Sequence, residues 1–326
     1  MVLKEQWNFM KTVEMKTKIL QLKNSFKKNK ITKSNYINEM HNYHKTLTIY
    51  PSLIENTEVK NILIDDKKVL ICLNNDLVFE LDEFDKRYIP IEIINFGMFE
   101  KNERPFFDFI SKRSRVIFDI GANIGFYSLF FSKSTFKNKI YAFEPVKRTF
   151  EKLTNHIKIN KCNNIYPYNL ALSDVETKKN IFYSINESGS SSFKNIKNEK
   201  KIQKELVSLI SLDKFCKDKK IKKIDFIKCD VEGYELFVLK GSVYTLRKFK
   251  PIVFCELLRK WSKKFNYSVN DVVNFFSNIN FNCYKIKNEK LVSVKKITDK
   301  TINTNFIFIH TDLSKNIVSV FNNEIN

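Results

Sequence analysis

"RVIFDIGANIGFYSLFFSK", Arg115 to Lys133, is the stretch whose reading decides the fold. It holds two glycines, Gly121 and Gly125, in a chain of 326 residues that has only six. Glycine averages about 7% of ordinary proteins, so a scarce residue is concentrated at one turn. "VIFDI" (116–120) reads as a strand and "IGFYSLFFSK" as the helix after it. In an open α/β sheet, ligands sit beyond the carboxyl ends of the strands, where a helix start also offers free N–H groups. A side chain at Gly121 would block close approach of a ligand. At Gly125 the missing Cβ permits tight packing or ligand contact.

Working outward, strands and helices alternate. "KIYAFE" (139–144), "IYPYNLAL" (165–172), "KIDFIKCD" (223–230) and "PIVFCEL" (251–257) read as strands. "KRTFEKLTNHIKIN", "YELFVLKGSVYTLRKF" and "SVNDVVNFFSNI" (268–279) read as helices. Such alternation predicts an α/β fold, a parallel sheet covered by helices on both faces. Near the end, "NCYKIK" and "NFIFIHT" (305–311) are strand-like with no clear helix between them, so they are expected to be antiparallel. Upstream, Asn61 to Leu81 reads as short strands with "DDKK" and "NND" as turns. "INFGMFEKNERPFFDFISK" reads as a loop and helix leading into the core. The expected organisation is a helical extension over 1–55, a small β and helix region over 56–110, and the ligand-binding domain over 111–326.

The ligand follows from what the turn lacks. A dinucleotide site wants G-x-G-x-x-G, but the positions from Gly121 read Gly121, Ala122, Asn123, Ile124, Gly125, Phe126. Asp119 at the strand end disfavours a pyrophosphate and suits a cationic amine or sulfonium. Glu144 ends the next strand, where a carboxylate accepts ribose hydroxyls. A ribose plus positive charge without pyrophosphate fits S-adenosylmethionine. The bland alternative is a tight β–α turn that binds nothing.

In order along the chain, "FDIGANIGFYS", "YAFEP", "NLALSD", "NESGSSSF", "IKCDVEGYELFVLKG" and "PIVFCEL" resemble the FkbM family of S-adenosylmethionine-dependent methyltransferases. "DVEGYE…LKG" is the most specific block. The resemblance implies a class I methyltransferase (Rossmann-like) domain: a mostly parallel seven-stranded sheet whose C-terminal strand is antiparallel. It also implies O-methylation, commonly of sugar hydroxyls in glycans, glycolipids or natural products. By motif position, Asp119, Gly121, Ala122, Asn123 and Gly125 would hold the methionine portion. Glu144, followed by Pro145, would bind the ribose. Ala171 and Ser173 would flank the adenine, and Asp230 would stand next to the methyl group.

A sugar hydroxyl has a high pKa and benefits from a general base or a metal. Asp230 and Glu232 share the turn "CDVEGYE", and Glu256 ends the neighbouring strand. These three are the expected catalytic carboxylates, and together they could bind a divalent cation through oxygens. Alternatively, Glu232 caps the following helix. "ESGSSSF" (187–193) reads as a flexible polar loop, inert or a lid. His156 is expected on a solvated helix face, and His310 could reach the cleft.

The net charge of +21 suggests a polyanion partner. With Lys228, Asp230 and Glu256 it keeps an RNA 2′-O-methyltransferase as the alternative. Yet only seven of the 57 basic residues are Arg, and recognition of phosphate or base planes favours Arg. Compositional bias is the simpler reading, so a carbohydrate acceptor is preferred over nucleic acid. The six cysteines show no C-x-x-C spacing and suit a reducing, cytoplasmic compartment. The charged N-terminus is not a signal peptide. No apolar run of membrane-spanning length occurs, which leaves peripheral membrane contact open.

Overall fold

A computed structural model describes residues 2–134, 138–196 and 202–324. Its strands are β1 (Val59–Ile64), β2 (Val69–Leu73), β3 (Val78–Glu80), β4 (Val116–Ile120), β5 (Lys139–Phe143), β6 (Ile165–Tyr168), β7 (Ala171–Leu172) and β8 (Thr177–Ser184). They continue with β9 (Glu187–Ser192), β10 (Gln203–Ile210), β11 (Phe226–Cys229), β12 (Ile252–Glu256), β13 (Phe281–Lys287), β14 (Lys290–Ser293) and β15 (Asn305–His310).

Among the described residues, eight strands form the main sheet in the order β14-β13-β15-β12-β11-β4-β5-β6. The five from β12 to β6 are parallel, and β15 runs antiparallel to both β12 and β13. The expected seven strands are present, with short β14 added as a hairpin on β13. Alternation along a strand sends neighbouring side chains to opposite faces, and both faces here are buried. Ile117, Phe226 and Phe254 join one hydrophobic cluster, while Phe118, Ile227 and Val253 join the other. Phe118, Phe226 and Phe254 are essentially inaccessible. Truncating one of them to Ala would cost about 3–5 kcal/mol.

The covering helices include Phe126–Ser134, Lys147–Ile159 and Val269–Ser277. The last begins at a capping box: the Ser268 side chain accepts a helix N–H, while Asp271 accepts the Ser268 N–H. Helices Val2–Lys27, Lys33–His44 and Tyr50–Ile54 precede the three-stranded sheet β1–β3, whose Val59, Ile71 and Phe79 share a cluster with the main sheet.

Four sequence expectations need correction. "IYPYNLAL" is two strands: β6 stays in the main sheet, while β7 leaves it to pair with β10 in a second sheet ordered β7-β10-β8-β9. "ESGSSS" is strand β9 of that sheet, paired with β8. Neighbouring strands, not its own composition, order it. "YELFVLKGSVYTLRKF" is two helices, Glu235–Lys240 and Val243–Phe249, broken at Gly241. There a Cβ would lie 1.9 Å from the Ser173 carbonyl oxygen. His156 is buried, with Nδ1 2.9 Å from the Ile124 carbonyl and Nε2 accepting the Glu80 N–H. The helix Thr311–Glu324 had no sequence counterpart.

Candidate active site

At the carboxyl ends of β4, β5, β11 and β12 lies a cleft of about 440 Å³. The turn after β4 forms one wall. Gly121 has φ +79°, and a Cβ on it would fall 1.9 Å from the Asp230 carbonyl oxygen. The missing side chain therefore admits the backbone leaving β11, and through it the two strand ends close up. Gly125 has φ +91° and faces Leu153, whose Cδ1 would lie 2.4 Å from a Cβ. Its role is helix packing.

Glu144 fixes the turn from β5. Its Oε2 accepts the Asn123 N–H at 3.0 Å and its Oε1 the Val146 N–H at 2.9 Å. Burial pushes its carboxyl up to about 7, against the pull of those two amides. Asn123 sits at φ +51°, and its buried Oδ1 has no hydrogen-bond partner. A buried acceptor without a donor is unusual and suits a ligand that brings an N–H.

The opposite wall carries the acids. Asp230 Oδ2 accepts from Lys228 Nζ at 3.0 Å. Burial pushes Glu256 up to about 10, reinforced by Asp230 and Glu232 and by its hydrogen bond with Asp230. Asp230, Glu232 and Glu256 each offer an oxygen within 4.8 Å of the others, a set that could hold a cation. Lys228 is almost fully buried. Burial disfavours its charge, but Asp230, Asp119 and Glu100 outweigh that and hold it above the ordinary lysine value. Glu100, bonded to the Tyr127 hydroxyl, is raised to about 7 by burial. Seven acids and three bases line the cleft, inside a molecule of net charge +21.

The remaining wall is β9 and its neighbours. Ser192 Oγ donates to the Glu232 carbonyl at 2.8 Å. Ser188 N–H reaches Asp85 Oδ2 at 3.2 Å, and Lys86 N–H reaches the Asn186 carbonyl at 2.8 Å. Leu170, Ala171, Leu172, Ile181 and Phe193 make this end apolar.

The methyltransferase FkbM domain known from other proteins matches residues 119–283, half of the 326 residues. The chain belongs to the FkbM methyltransferase family. The chain is 27% identical over 147 residues to the hexuronic acid methyltransferase AglP of Haloferax volcanii, covering 42% of this chain and 54% of that protein. It is 26% identical over 156 residues to the tRNA(Phe) (4-demethylwyosine(37)-C(7)) aminocarboxypropyltransferase of Methanocaldococcus jannaschii, covering 47% of this chain and 61% of that protein. The chain thus spans between half and two thirds of the length of the curated relatives it matches. Among solved structures, the methyltransferase FkbM from Methylobacillus flagellatus aligns with TM-score 0.39 at 15% identity, over 81% of this chain and 59% of that one.

In this FkbM-family chain, Gly121, Ala122, Asn123, Glu144, Pro145, Ala171, Asp230, Glu232 and Glu256 come together on the cleft wall. Asp119, Gly125 and Ser173 do not. Asp119 is completely buried behind the wall, where its Oδ2 accepts from Ser128 Oγ at 2.6 Å and burial raises its pKa. Ser173 Oγ bonds Asp174. His310 is buried outside the cleft, its Nδ1 accepting the Asp312 N–H. Sequence reasoning missed Glu100, Tyr127, Arg87 and Trp261 as wall residues. Tyr127 stands within the motif "FDIGANIGFYS" but was given no role there, while Arg87, Glu100 and Trp261 lie outside every motif quoted and only the tertiary structure brings them to the cleft. Among the described residues, no helix is long and apolar enough to cross a membrane.

Proposed function

We propose that the chain is an S-adenosylmethionine-dependent O-methyltransferase acting on a sugar hydroxyl. The observation that carries this reading is the juxtaposition of Asp230, Glu232 and Glu256 with the Gly121–Asn123 turn across one cleft. S-adenosylmethionine would supply an electrophilic methyl group on a sulfonium. Asn123 and the turn amides would hold its methionine end, Glu144 its ribose, and the apolar pocket near Ala171 its adenine. Asp119, Gly125 and Ser173 support these residues from behind.

Asp230 receives the hydroxyl proton, and Lys228 holds its carboxylate in place and compensates its charge. Glu256, kept protonated by its surroundings, donates to Asp230 rather than competing as a second anion. In-line positioning provides much of the remaining acceleration. A divalent cation on the three carboxylates is a further proposal, alternative to this arrangement, because it would displace the Glu256 proton. Dialysis against EDTA should leave S-adenosylmethionine affinity unchanged, and a loss of turnover restored by Mg²⁺ would assign the cation to this cluster.

The hexuronic acid methyltransferase relative supports a carbohydrate acceptor. The tRNA-modifying relative and the positive charge favour the second reading, an RNA 2′-O-methyltransferase. The acid-rich cleft wall opposes it, because a nucleic acid backbone would run past those carboxylates. Six cysteines with free thiols suit a reducing compartment such as the cytoplasm. The deciding experiment incubates the protein with methyl-labelled S-adenosylmethionine and fractionated glycans, lipids and RNA. Label is expected in carbohydrate or glycolipid. Label only in RNA replaces this reading with the second, and absence of S-adenosylmethionine binding by calorimetry overturns both.

A further inference from the structure

Besides Asp230, Glu232 and Glu256, one more carboxylate reaches the reaction end of the cleft, and methyl transfer as described gives it no task. Glu100 lines the cleft with Tyr127, Lys228, Asp230 and Glu256. It lies upstream of the family-matched residues 119–283, in the connection between helices Ile89–Phe96 and Arg104–Ser111. That connection is tied down on both sides. The Glu100 carbonyl accepts the Glu103 and Arg104 N–H groups at 3.0 and 3.1 Å. Glu103 Oε1 accepts from Asn305 Nδ2 at 3.0 Å, and Arg104 donates to Glu58 at 2.9 Å. Glu100 itself has φ +47°, a left-handed conformation that is unfavourable for a residue with a Cβ. Such strain persists where surrounding contacts enforce it, and it clusters at ligand sites. The side chain is held as well. Its Oε2 accepts from the Tyr127 hydroxyl, and the Tyr127 ring packs against Phe107 and Phe131, with centroids 4.6 and 6.0 Å away. Lys228 Nζ lies 5.1 Å from the centre of the same ring and is bonded to Asp230, not to Glu100.

We propose that Glu100 is a specificity-determining residue of the acceptor site, hydrogen-bonding a second hydroxyl of the sugar whose reacting hydroxyl faces Asp230. The proposal rests on the methyl-transfer reading of the cleft. A carboxylate accepts about four hydrogen bonds, and among the described residues the Tyr127 hydroxyl is the one donor to this side chain. The remaining capacity lies at the cleft. Burial pushes the Glu100 carboxyl up to about 7, against the pull of Lys228 and Tyr127. Near neutral pH it therefore both accepts and donates, which matches a hydroxyl better than a fixed cation or anion. Its place in the chain fits the task. The shared domain supplies Asp230, Glu232 and Glu256 for the chemistry, while the choice of acceptor falls to a residue from outside that domain. The acceptors selected are sugars and other polyols, over alcohols with a single hydroxyl. A site built to hydrogen-bond a hydroxyl rejects the analogue without it, because a buried polar group is then left unpaired.

Steady-state kinetics on the full chain test this, with saturating methyl-labelled S-adenosylmethionine and, as probe, the cell carbohydrate fraction that takes up label. Glu100→Gln keeps an oxygen for the Tyr127 hydroxyl and removes the carboxylate. Its KM for the carbohydrate fraction is expected to rise about tenfold, the size of one hydrogen bond to a charged group. The effect should fall on KM and not on kcat, and S-adenosylmethionine affinity and the urea midpoint should match wild type. Tyr127→Phe removes the donor and keeps the carboxylate, so its KM should rise less than that of Glu100→Gln. An unchanged KM in Glu100→Gln overturns the proposal. So does a fall in kcat at constant KM, which would place Glu100 with the chemistry, or an equal rise in Tyr127→Phe, which would reduce Glu100 to an anchor for the tyrosine. These outcomes leave methyl transfer to carbohydrate standing. A wild type that labels no carbohydrate fraction removes that reading itself, and this proposal with it.

Discussion

Single residues divide into those that touch the cleft and those that shape it, and the two classes fail differently. Asp230→Asn keeps the size of the side chain and removes the proposed base. Turnover should fall about 10²–10⁴-fold, with S-adenosylmethionine affinity within about threefold of wild type by calorimetry. Gly121→Ala attacks the shape: its methyl meets the fixed Asp230 carbonyl, whereas that of Gly125→Ala meets only the movable end of Leu153. Both positions lie in the left-handed region, at a cost of about 1 kcal/mol or more for a non-glycine residue. Urea denaturation should therefore rank Gly121→Ala as the more destabilised.

Glu144 gives a pH dependence. Its folded pKa is raised to about 7 by burial, so its ionised form, the better acceptor for ribose hydroxyls, grows in as pH rises through about 7. S-adenosylmethionine should bind more tightly at pH 8 than at pH 6, and Glu144→Gln should flatten that difference. For stability the sign is opposite. A carboxyl with a raised folded pKa contributes stability below its unfolded value, and that contribution is lost as pH climbs from about 4.5 to 7. The cleft acids at β-strand ends were legible in the sequence, because an acid after an apolar run and before a turn stands out. The actual duty of Gly121 was not. A glycine in sequence announces a close approach but does not say whether ligand or backbone approaches.

Among elements, β9 best separates composition from context. "ESGSSS" has the polar, glycine-containing make-up of a loop, yet it pairs with β8 and is tied to Asp85 and to the Glu232 carbonyl. Its order depends on partners distant in sequence, so no local pattern could announce it. Gly189 also lies next to the Asn123 side chain, which faces the expected methionine end. The amides of Gly189–Ser191 should exchange hydrogen more slowly once S-adenosylmethionine is added, and unchanged exchange would separate β9 from the ligand site. The core strands were legible for the complementary reason. A strand buried on both faces is mostly apolar, and β4, β11 and β12, with a single charged residue each, declare themselves without help from any neighbour.

For the whole molecule, we propose that the helices before Val59 and the sheet β1–β3 are not equivalent additions. Residues 14–54 include no buried side chain, whereas Ile71, Leu73, Leu77 and Phe79 are almost inaccessible and share a cluster with the core. Removing residues 1–31 should leave the urea midpoint within about 1 kcal/mol of the full chain. Deleting through Glu80 should expose the apolar face of helix Lys147–Ile159 and prevent soluble expression. Equal effects of the two deletions would refute the division.

Strand β15 lies between β12 and β13 in the sheet but is made after both. The two earlier strands cannot pair with each other, and must stand about two strand spacings apart, near 9–10 Å, to receive it. Until then β12, which ends in Glu256, presents an open edge of unsatisfied amides and carbonyls to any other chain. Docking of β15 is thus a contact between segments far apart in sequence, of the kind that closes slowly. The acid wall gains its fixed position in the same event, so a nascent chain completes that wall of its cleft only after β15 has been synthesised.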